Sequence, residues 1–283
     1  MRFDFAPNAF EISDDGRSAG TPEQRANDIH AAFEDHTVAA VMSAAGGNST
    51  HEVLTHLDAG RLRAHPKAFI GQSDNTFINA FLYSQAGIIS YTGLTFATNF
   101  GESNVSAAAE EVLLGYGPLQ LRSSSIRTPN LVAKSQAGDV VDLDVNRPGV
   151  DVWLQSGRAE ARLVGGEVGI LADLIEEGLL EVEGKILWLD IVDDGLGYLH
   201  AAFDRLWLLL KGVHVAALIV ADNPSMPWQE WVVDVETRLQ QDGPQVDGPV
   251  MVGGDLGHYQ PSWLLPYGDV IVVDAVAGLT INR

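Results

Sequence analysis

The sequence predicts an α/β protein with a parallel, doubly wound sheet, followed by a second α/β domain. Short apolar, β-prone runs alternate with helical segments in the first half of the chain, and the same alternation resumes from residue 161 onward. Such alternation is typical of parallel sheets with helical crossovers. With 283 residues, 46% of them hydrophobic, the chain can bury the core that this fold needs.

The helices and strands of the first half follow one another in order. Thr21 and Pro22 open the first helix, because threonine is a good helix cap and proline fits the first helical turn. The predicted helices span residues 21–34, 50–57, 73–86 and 105–114. The predicted strands span residues 38–43, 68–70 and 88–91.

Residues 122–160 differ in character, with a Ser-Ser-Ser run, several aspartates and few long apolar runs. They predict a connector with short strands between an N-terminal α/β domain at residues 1–121 and a C-terminal β/α domain at residues 161–283. In the last part, predicted strands at 185–189, 215–220 and 270–273 alternate with predicted helices at 171–177, 196–211 and 228–241.

The charge balance and the residue types exclude several classes of protein. The chain has 17 basic and 38 acidic residues and a net charge of −21, which argues against nucleic-acid and anionic-membrane partners. It has no cysteine, which excludes disulfides and thiolate chemistry. No apolar run approaches the length of a membrane span, and the start does not resemble a signal peptide. We expect a soluble, cytoplasmic protein.

Two sequence features resemble known motifs but do not match them. His51 and His56 stand five residues apart, not four as in a zinc-binding HExxH helix, so on a helix they point about 140° apart. We expect them to be surface histidines. The glycine pairs at residues 46–47 and 165–166 match no nucleotide-binding loop. We therefore expect no metal and no cofactor.

The segment Gly71-Gln72-Ser73 ends a predicted strand and precedes a predicted helix. This pattern resembles a nucleophile elbow, in which a serine hydroxyl is exposed on a tight turn and backbone N–H groups can stabilise an oxyanion. The match to GxSxG is incomplete, because Asn75 replaces the second glycine. The alternative is that Ser73 only caps the following helix.

A nucleophilic serine needs a base and an acid that orients the base. His258 follows a glycine-rich segment, which predicts an accessible loop, although it can equally be an ordinary turn residue. Asp190 ends an apolar strand, and α/β proteins place their sites at the carboxyl ends of strands. The competing acids are Asp193, Asp194 and Glu167. We expect the Asp190 side chain to be partly solvated.

Four segments of the chain can be compared together with the motifs of known protein families. They are RANDIHAAFED at residues 25–35, the glycine pair 46–47 with Leu57-Asp58 downstream, GQSDNT at residues 71–76, and Gly257-His258 with LPYG at residues 265–268. In order and spacing they resemble the LD-carboxypeptidase family of serine peptidases, which includes murein tetrapeptide carboxypeptidases and microcin C immunity peptidases. The resemblance covers nearly the whole chain from Thr21 on.

The resemblance implies that Ser73 is the nucleophile, His258 the general base and Asp190 the orienting acid. The backbone N–H groups of Gly47 and Asp74 would form the oxyanion hole. It also implies a flavodoxin-like N-terminal domain and a smaller, swivelling C-terminal domain, with the site between them. We therefore expect a serine carboxypeptidase-like hydrolase that cleaves an amide bond in a murein peptide or a microcin-type conjugate.

Three departures from the family pattern accompany this resemblance. Asp190 stands in place of a glutamate, and Ala45 in place of an arginine that many members carry. The family's opening strand and helix are missing, so either the reading frame starts too far downstream or the first domain is truncated and lacks this unit. A lost strand would expose a sheet edge or the helix faces that it covered, which disfavours a monomer, and we expect a homodimer. The departures leave open an alternative function, that of a non-catalytic, peptide-binding member.

Overall fold

The structure is a computed structural model that describes residues 2–13, 16, 18–99, 112, 117–129, 147–192 and 196–282. It confirms the α/β class, since helices alternate with strands and each of the two larger sheets is built around a set of parallel strands. The predicted helix at 105–114, of which only Val112 is described, lies outside these residues, and so do Asp193 and Asp194.

A parallel sheet forms the centre of the first half. The helices and strands of this half are α1 (Pro22–Glu34), β1 (Ala40–Met42), a 3₁₀ helix (His51–His56), α2 (Ala59–Ala64), β2 (Ala68–Ile70), a 3₁₀ turn (Ser73–Asn75), α3 (Thr76–Phe81), a π-helical turn (Leu82–Ala86), β3 (Ser90–Thr92) and α4 (Phe96–Asn99). The strands β1, β2 and β3 pair in parallel and in chain order. All three lie within or next to the predicted strands.

Local sequence explains how the helices of this half begin. Thr21 and Gln24 form a reciprocal capping box at the start of α1, as the Thr-Pro pattern predicts. The predicted helix at 73–86 is one helical run that passes from 3₁₀ through α to π geometry. The predicted helix at 50–57 is a 3₁₀ helix, and His51 and His56 are exposed on it as expected.

The second half is built on a larger sheet. Its elements, with those of the connector, are β4 (Leu119–Leu121), β5 (Ile126–Pro129), β6 (Arg147–Pro148), β7 (Val152–Gln155), β8 (Arg158–Glu167), α5 (Val168–Glu176), β9 (Ile186–Asp190), α6 (Leu196–Leu209), β10 (His214–Val215), β11 (Ala217–Val220), α7 (Trp228–Leu239), β12 (Gln245–Val246), β13 (Val250–Val252), β14 (Tyr259–Gln260), β15 (Leu265–Tyr267), β16 (Val270–Asp274) and β17 (Gly278–Ile281).

This sheet has eight strands in the order β4-β17-β16-β8-β9-β11-β13-β7. The pairs β8–β9, β9–β11 and β11–β13 are parallel, which brings the carboxyl ends of these strands to one edge. The strand predicted at 215–220 is in fact two strands, because β10 pairs with β12 while β11 pairs with β9 and β13.

The two sheets are connected by a strand and by a shared core. β15 belongs to the second half of the sequence but pairs antiparallel with β3 of the first sheet. Ile70 and Phe77 of the first half lie in the same buried cluster as Trp188 and Ile219 of the second. The swivelling of one domain against the other stays a prediction. Of the described helices, none combines the length and the apolar composition needed to span a membrane.

Candidate active site

Ser73 occupies a sharp turn between β2 and α3, as the sequence predicts. Its φ of +61° lies in the left-handed region, and it is the only non-glycine residue with a positive φ among those the structure describes. For a residue with a Cβ this conformation costs about 1–2 kcal/mol. Gln72, not Ser73, occupies the N-cap position of the 3₁₀ turn, so the structure does not support the helix-cap interpretation of Ser73.

A glycine loop after β1 approaches Ser73 closely. A Cβ atom on Gly46 would lie 2.9 Å from Cβ and 3.0 Å from Oγ of Ser73, so a larger residue would displace the serine. The Asn75 side chain joins the loop to the turn, since its amide donates 2.9 Å hydrogen bonds to the carbonyl oxygens of Ala45 and Gln72. Asn75, which departs from the GxSxG pattern, thus holds the two segments together.

Asp74 fixes the other end of the same loop. Its buried carboxylate accepts hydrogen bonds from the N–H groups of Ser49 and Thr50, both at 2.9 Å, and from the Thr50 hydroxyl at 2.6 Å. Gly47 lies against it, because a Cβ on Gly47 would be 3.3 Å from Oδ2 of Asp74. The predicted oxyanion-hole residues Gly47 and Asp74 are therefore neighbours beside the Ser73 turn.

His258 and Asp190 form a buried hydrogen-bonded pair. Nδ1 of His258 lies 3.0 Å from Oδ1 of Asp190, which fixes the ring and leaves Nε2 for other chemistry. Burial by itself would lower the pKa of His258. The charge and hydrogen bond of Asp190, with the charge of Glu167, outweigh it, so the pKa is raised above its usual 6.5.

The expectation that Asp190 is partly solvated is wrong, because its exposure is 0%. The loop that carries His258 closes over it: a Cβ on Gly257 would lie 2.6 Å from Oδ1 of Asp190. Gly257 also has a φ of +70°, which favours glycine. Strand-end residues are often solvated, but here a distant loop covers the strand end.

The side chain of Gln72 links the serine turn to the histidine loop. Its amide nitrogen donates a 2.5 Å hydrogen bond to the carbonyl oxygen of Gly257. Each partner is the sequence neighbour of a predicted catalytic residue, Ser73 in one case and His258 in the other. The predicted site residues thus lie in two groups, which this hydrogen bond links. Ser73, Gly47 and Asp74 form one group, and His258 and Asp190 form the other.

Arg127 in the connector holds the histidine loop from its other side. Its fully buried guanidinium donates through Nε to Asp255 at 3.1 Å and through Nη2 to Asp151 at 2.5 Å. Asp151 also accepts the N–H of Gly254, and Asp255 accepts the N–H of Ser124, both at 2.8 Å. Burial raises the pKa of Asp255, while its partners oppose that shift.

Directly after His258, β14 pairs antiparallel with β5 of the connector. The loop is therefore held on both sides by residues that sequence reasoning did not identify. The only feature of the sequence that could have indicated this role of Arg127 is compositional. Arg127 is one of few basic residues in an acidic chain, and it stands beside a serine run.

Among the described residues, no group of three or more histidine, aspartate or glutamate side chains is arranged to hold a metal ion. Nε2 of His51 instead lies 3.0 Å from the Glu177 carboxylate, and its ring lies against Phe77.

Comparison with known proteins identifies two family matches within the chain. The LD-carboxypeptidase N-terminal domain matches residues 2–93, and the LD-carboxypeptidase C-terminal domain matches residues 160–273.

Several curated relatives align along most of the chain. A probable murein peptide carboxypeptidase of Bacillus subtilis is 25% identical over 89% of this chain and 74% of that protein. The murein tetrapeptide carboxypeptidase of Pseudomonas aeruginosa is 29% identical over 90% and 79%. The microcin C7 self-immunity protein MccF of Escherichia coli is 26% identical over 90% and 77%.

Solved structures share the fold. MccF in complex with glutamyl sulfamoyl guanosine superposes with a TM-score of 0.77 at 20% identity, over 96% of this chain and 84% of that one. An MccF-like protein from Bacillus anthracis superposes with a TM-score of 0.78 at 20% identity, over 99% and 86%. The two-domain α/β architecture predicted from the sequence is therefore confirmed.

Proposed function

The chain belongs to the LD-carboxypeptidase family, and on that premise we propose that it is a serine-type carboxypeptidase acting on a peptide or peptide-like amide. One observation supports this above the others. The His258–Asp190 pair is formed and buried, and its loop is hydrogen-bonded to the turn that carries Ser73. These are the parts that serine-dependent acyl transfer requires.

In the proposed reaction, the Ser73 hydroxyl oxygen attacks the scissile carbonyl carbon while Nε2 of His258 takes its proton. Asp190 holds the imidazole in the tautomer with Nδ1 protonated and stabilises the imidazolium that forms. The carbonyl oxygen becomes an oxyanion, which the N–H groups of Gly47 and Asp74 accommodate. Each such donor is worth about 3–4 kcal/mol in comparable sites.

The tetrahedral intermediate collapses as the C–N bond breaks and His258 returns its proton to the leaving nitrogen. An acyl-enzyme ester on Ser73 remains. Water, deprotonated by His258, then attacks the ester carbonyl, the acid product leaves, and Ser73 recovers its proton. The left-handed turn supports this chemistry, because it holds the hydroxyl beside the Gly46–Gly47 loop.

The substrate proposal has two branches, which the names of the relatives suggest. One is a murein peptide, and the other is a microcin-type aminoacyl sulfamoyl nucleoside such as the aspartyl sulfamoyl adenosine in one MccF structure.

We propose that the protein acts in the cytoplasm and as a homodimer. We also propose that its N-terminal domain ends at residue 121 and that its C-terminal domain begins after residue 160.

Incubating the protein with a murein tetrapeptide and with aspartyl sulfamoyl adenosine tests the function, with mass spectrometry to detect products. We expect a tripeptide plus an amino acid from the first, or aspartate plus sulfamoyl adenosine from the second. Ser73→Ala should give neither, while Ser84→Ala, which changes an exposed serine outside the site, should match wild type. Binding of either compound without cleavage would favour the non-catalytic alternative instead.

A further inference from the structure

Glu167 brings a second carboxyl group to the edge of the sheet that holds Asp190. It is the last residue of β8, and its register partner on the parallel strand β9 is Asp190. Neighbouring strands lie about 4.8 Å apart, and register partners present their side chains to the same face. Glu167 is 7% exposed, so both carboxyl groups are buried at the same strand ends.

The helix that follows fixes the orientation of Glu167. It is the N-cap of α5, and its Oε2 accepts the N–H of Ile170 at 2.9 Å. The other oxygen, Oε1, is buried and has no hydrogen-bond partner among the described residues. A group held by one oxygen, with the second desolvated and free, can still act on its surroundings through its charge.

The end of β8 also lies beside the serine turn. A Cβ on Gly166 would be 2.4 Å from the Thr76 side chain, and the Thr76 hydroxyl donates a 2.7 Å hydrogen bond to the carbonyl oxygen of Ser73. Glu167 thus directly follows Gly166, which contacts the turn that carries the proposed nucleophile.

The pKa values of Glu167 and His258 depend on each other's charge. Burial raises the pKa of Glu167 and the Asp190 charge adds to this, whereas the N–H groups at the start of α5 and His258 oppose it. Among the described residues, the charged groups that act on the His258 imidazole are Asp190 from β9 and Glu167 from β8. Because coupling is mutual, Glu167 and His258 should each titrate differently when the other loses its charge.

We infer that Glu167 is a positioning residue of the hydrolytic site, a second carboxyl group that acts on the His258 imidazole through space from the strand beside Asp190. Its catalytic consequence rests on the proposed function, but the coupling itself does not. The Asp190 carboxylate makes the hydrogen bond to the ring, and Glu167 adds negative charge without a bond. When Glu167 is ionised, it favours the imidazolium that forms after proton transfer from Ser73.

An NMR titration of the His258 ring tests this inference without a substrate, with the signal assigned by its absence in His258→Ala. Glu167→Gln keeps an amide oxygen for the Ile170 N–H but removes the charge. It should lower the pKa of His258 by about half a unit or more, because an opposite charge nearby is lost. Glu167→Asp, which keeps the charge, should stay near wild type.

The control is Glu177→Gln, which removes the same charge just beyond the other end of α5, where Glu177 is exposed and lies against His51. It should leave the titration of His258 unchanged. In turnover, the acidic limb of kcat/KM should move to lower pH in Glu167→Gln alone.

An unchanged His258 titration in Glu167→Gln, or equal shifts in Glu167→Gln and Glu167→Asp, would overturn the inference. A second measurement leaves Glu167 in place: the ¹³C titration of its carboxyl group should move to higher pH in His258→Gln, and no movement would also overturn it. Failure of the proposed function is recognised separately, since either the wild-type protein would then cleave neither compound or Ser73→Ala would keep full turnover, whatever the titrations show.

Discussion

The Gln72 side chain donates a hydrogen bond to the main-chain oxygen of Gly257, 185 residues further along the chain. The two residues precede Ser73 and His258, so one buried hydrogen bond links the turn of the proposed nucleophile to the loop of its proposed base. The two proposed catalytic parts come from different sheets. Their alignment therefore depends on contacts of this kind rather than on a single secondary-structure element.

We predict that Gln72→Ala lowers kcat by about 10- to 100-fold with little change in KM, because a displacement of about 1 Å is enough to cost that much in rate. Steady-state kinetics on the two variants Gln72→Ala and Gln85→Ala measures this. Gln85 is an exposed glutamine outside the site, so its variant should match wild type. Equal kcat values in both variants would show that the bond does not align the site.

The pH dependence of kcat/KM should have an acidic limb with its midpoint above 6.5. His258 must be neutral to accept a proton, and its pKa is raised, so activity is lost as the pH falls through that raised value. His258→Ala should be inactive at every pH. His214 also has a raised pKa, through its hydrogen bond to Asp247, but it is exposed on β10. A shifted limb in His214→Gln would contradict the assignment.

Asp190→Asn should reduce kcat by about 10³- to 10⁴-fold, because the amide favours the wrong imidazole tautomer. Asp190→Glu should also reduce the rate, by about 100-fold. The aspartate already reaches His258 at 3.0 Å, and the Gly257 backbone leaves no room for another methylene. Kinetics on both variants decides the matter, and a faster Asp190→Glu enzyme would mean that the site is a weakened version of the family's Glu site.

Arg127→Met should destabilise the protein by about 3–5 kcal/mol, because it leaves the buried Asp255 and the half-buried Asp151 without their cation. Thermal melts measure the effect. Arg158→Met, which breaks an exposed pair with Glu160, is the matched control and should hardly change Tm. A similar, small change in both variants would mean that the buried network does not hold the histidine loop.

Local patterns were enough to predict much of the fold and part of the site. The strand–turn–helix around Ser73 follows from an apolar run that ends in Gly-x-Ser, and the capping box at Thr21 follows from its own neighbours. The predicted partnership of His258 and Asp190 combines a glycine-rich loop with a strand end. The 3.0 Å contact agrees with it, while the catalytic roles stay predictions.

Features set by distant contacts could not be predicted in this way. Asp190 is fully buried because the Gly257 loop folds over it, and nothing near Asp190 in the sequence indicates that loop. Arg127 and Asp255 are 128 residues apart, and neither stands in a recognisable motif. Glu167 was only a competing acid, and its register with Asp190 becomes visible only when β8 and β9 pair.

Removing the Ser73 hydroxyl tests the central claim most directly, with turnover and unfolding free energy measured on the same variants. Ser73→Ala and Ser73→Gly should both lose turnover to the background rate. Ser73→Gly should also be more stable than wild type, by about 1 kcal/mol, because glycine adopts a φ of +61° without strain. Turnover retained by either folded variant would contradict the assignment of Ser73 as the nucleophile.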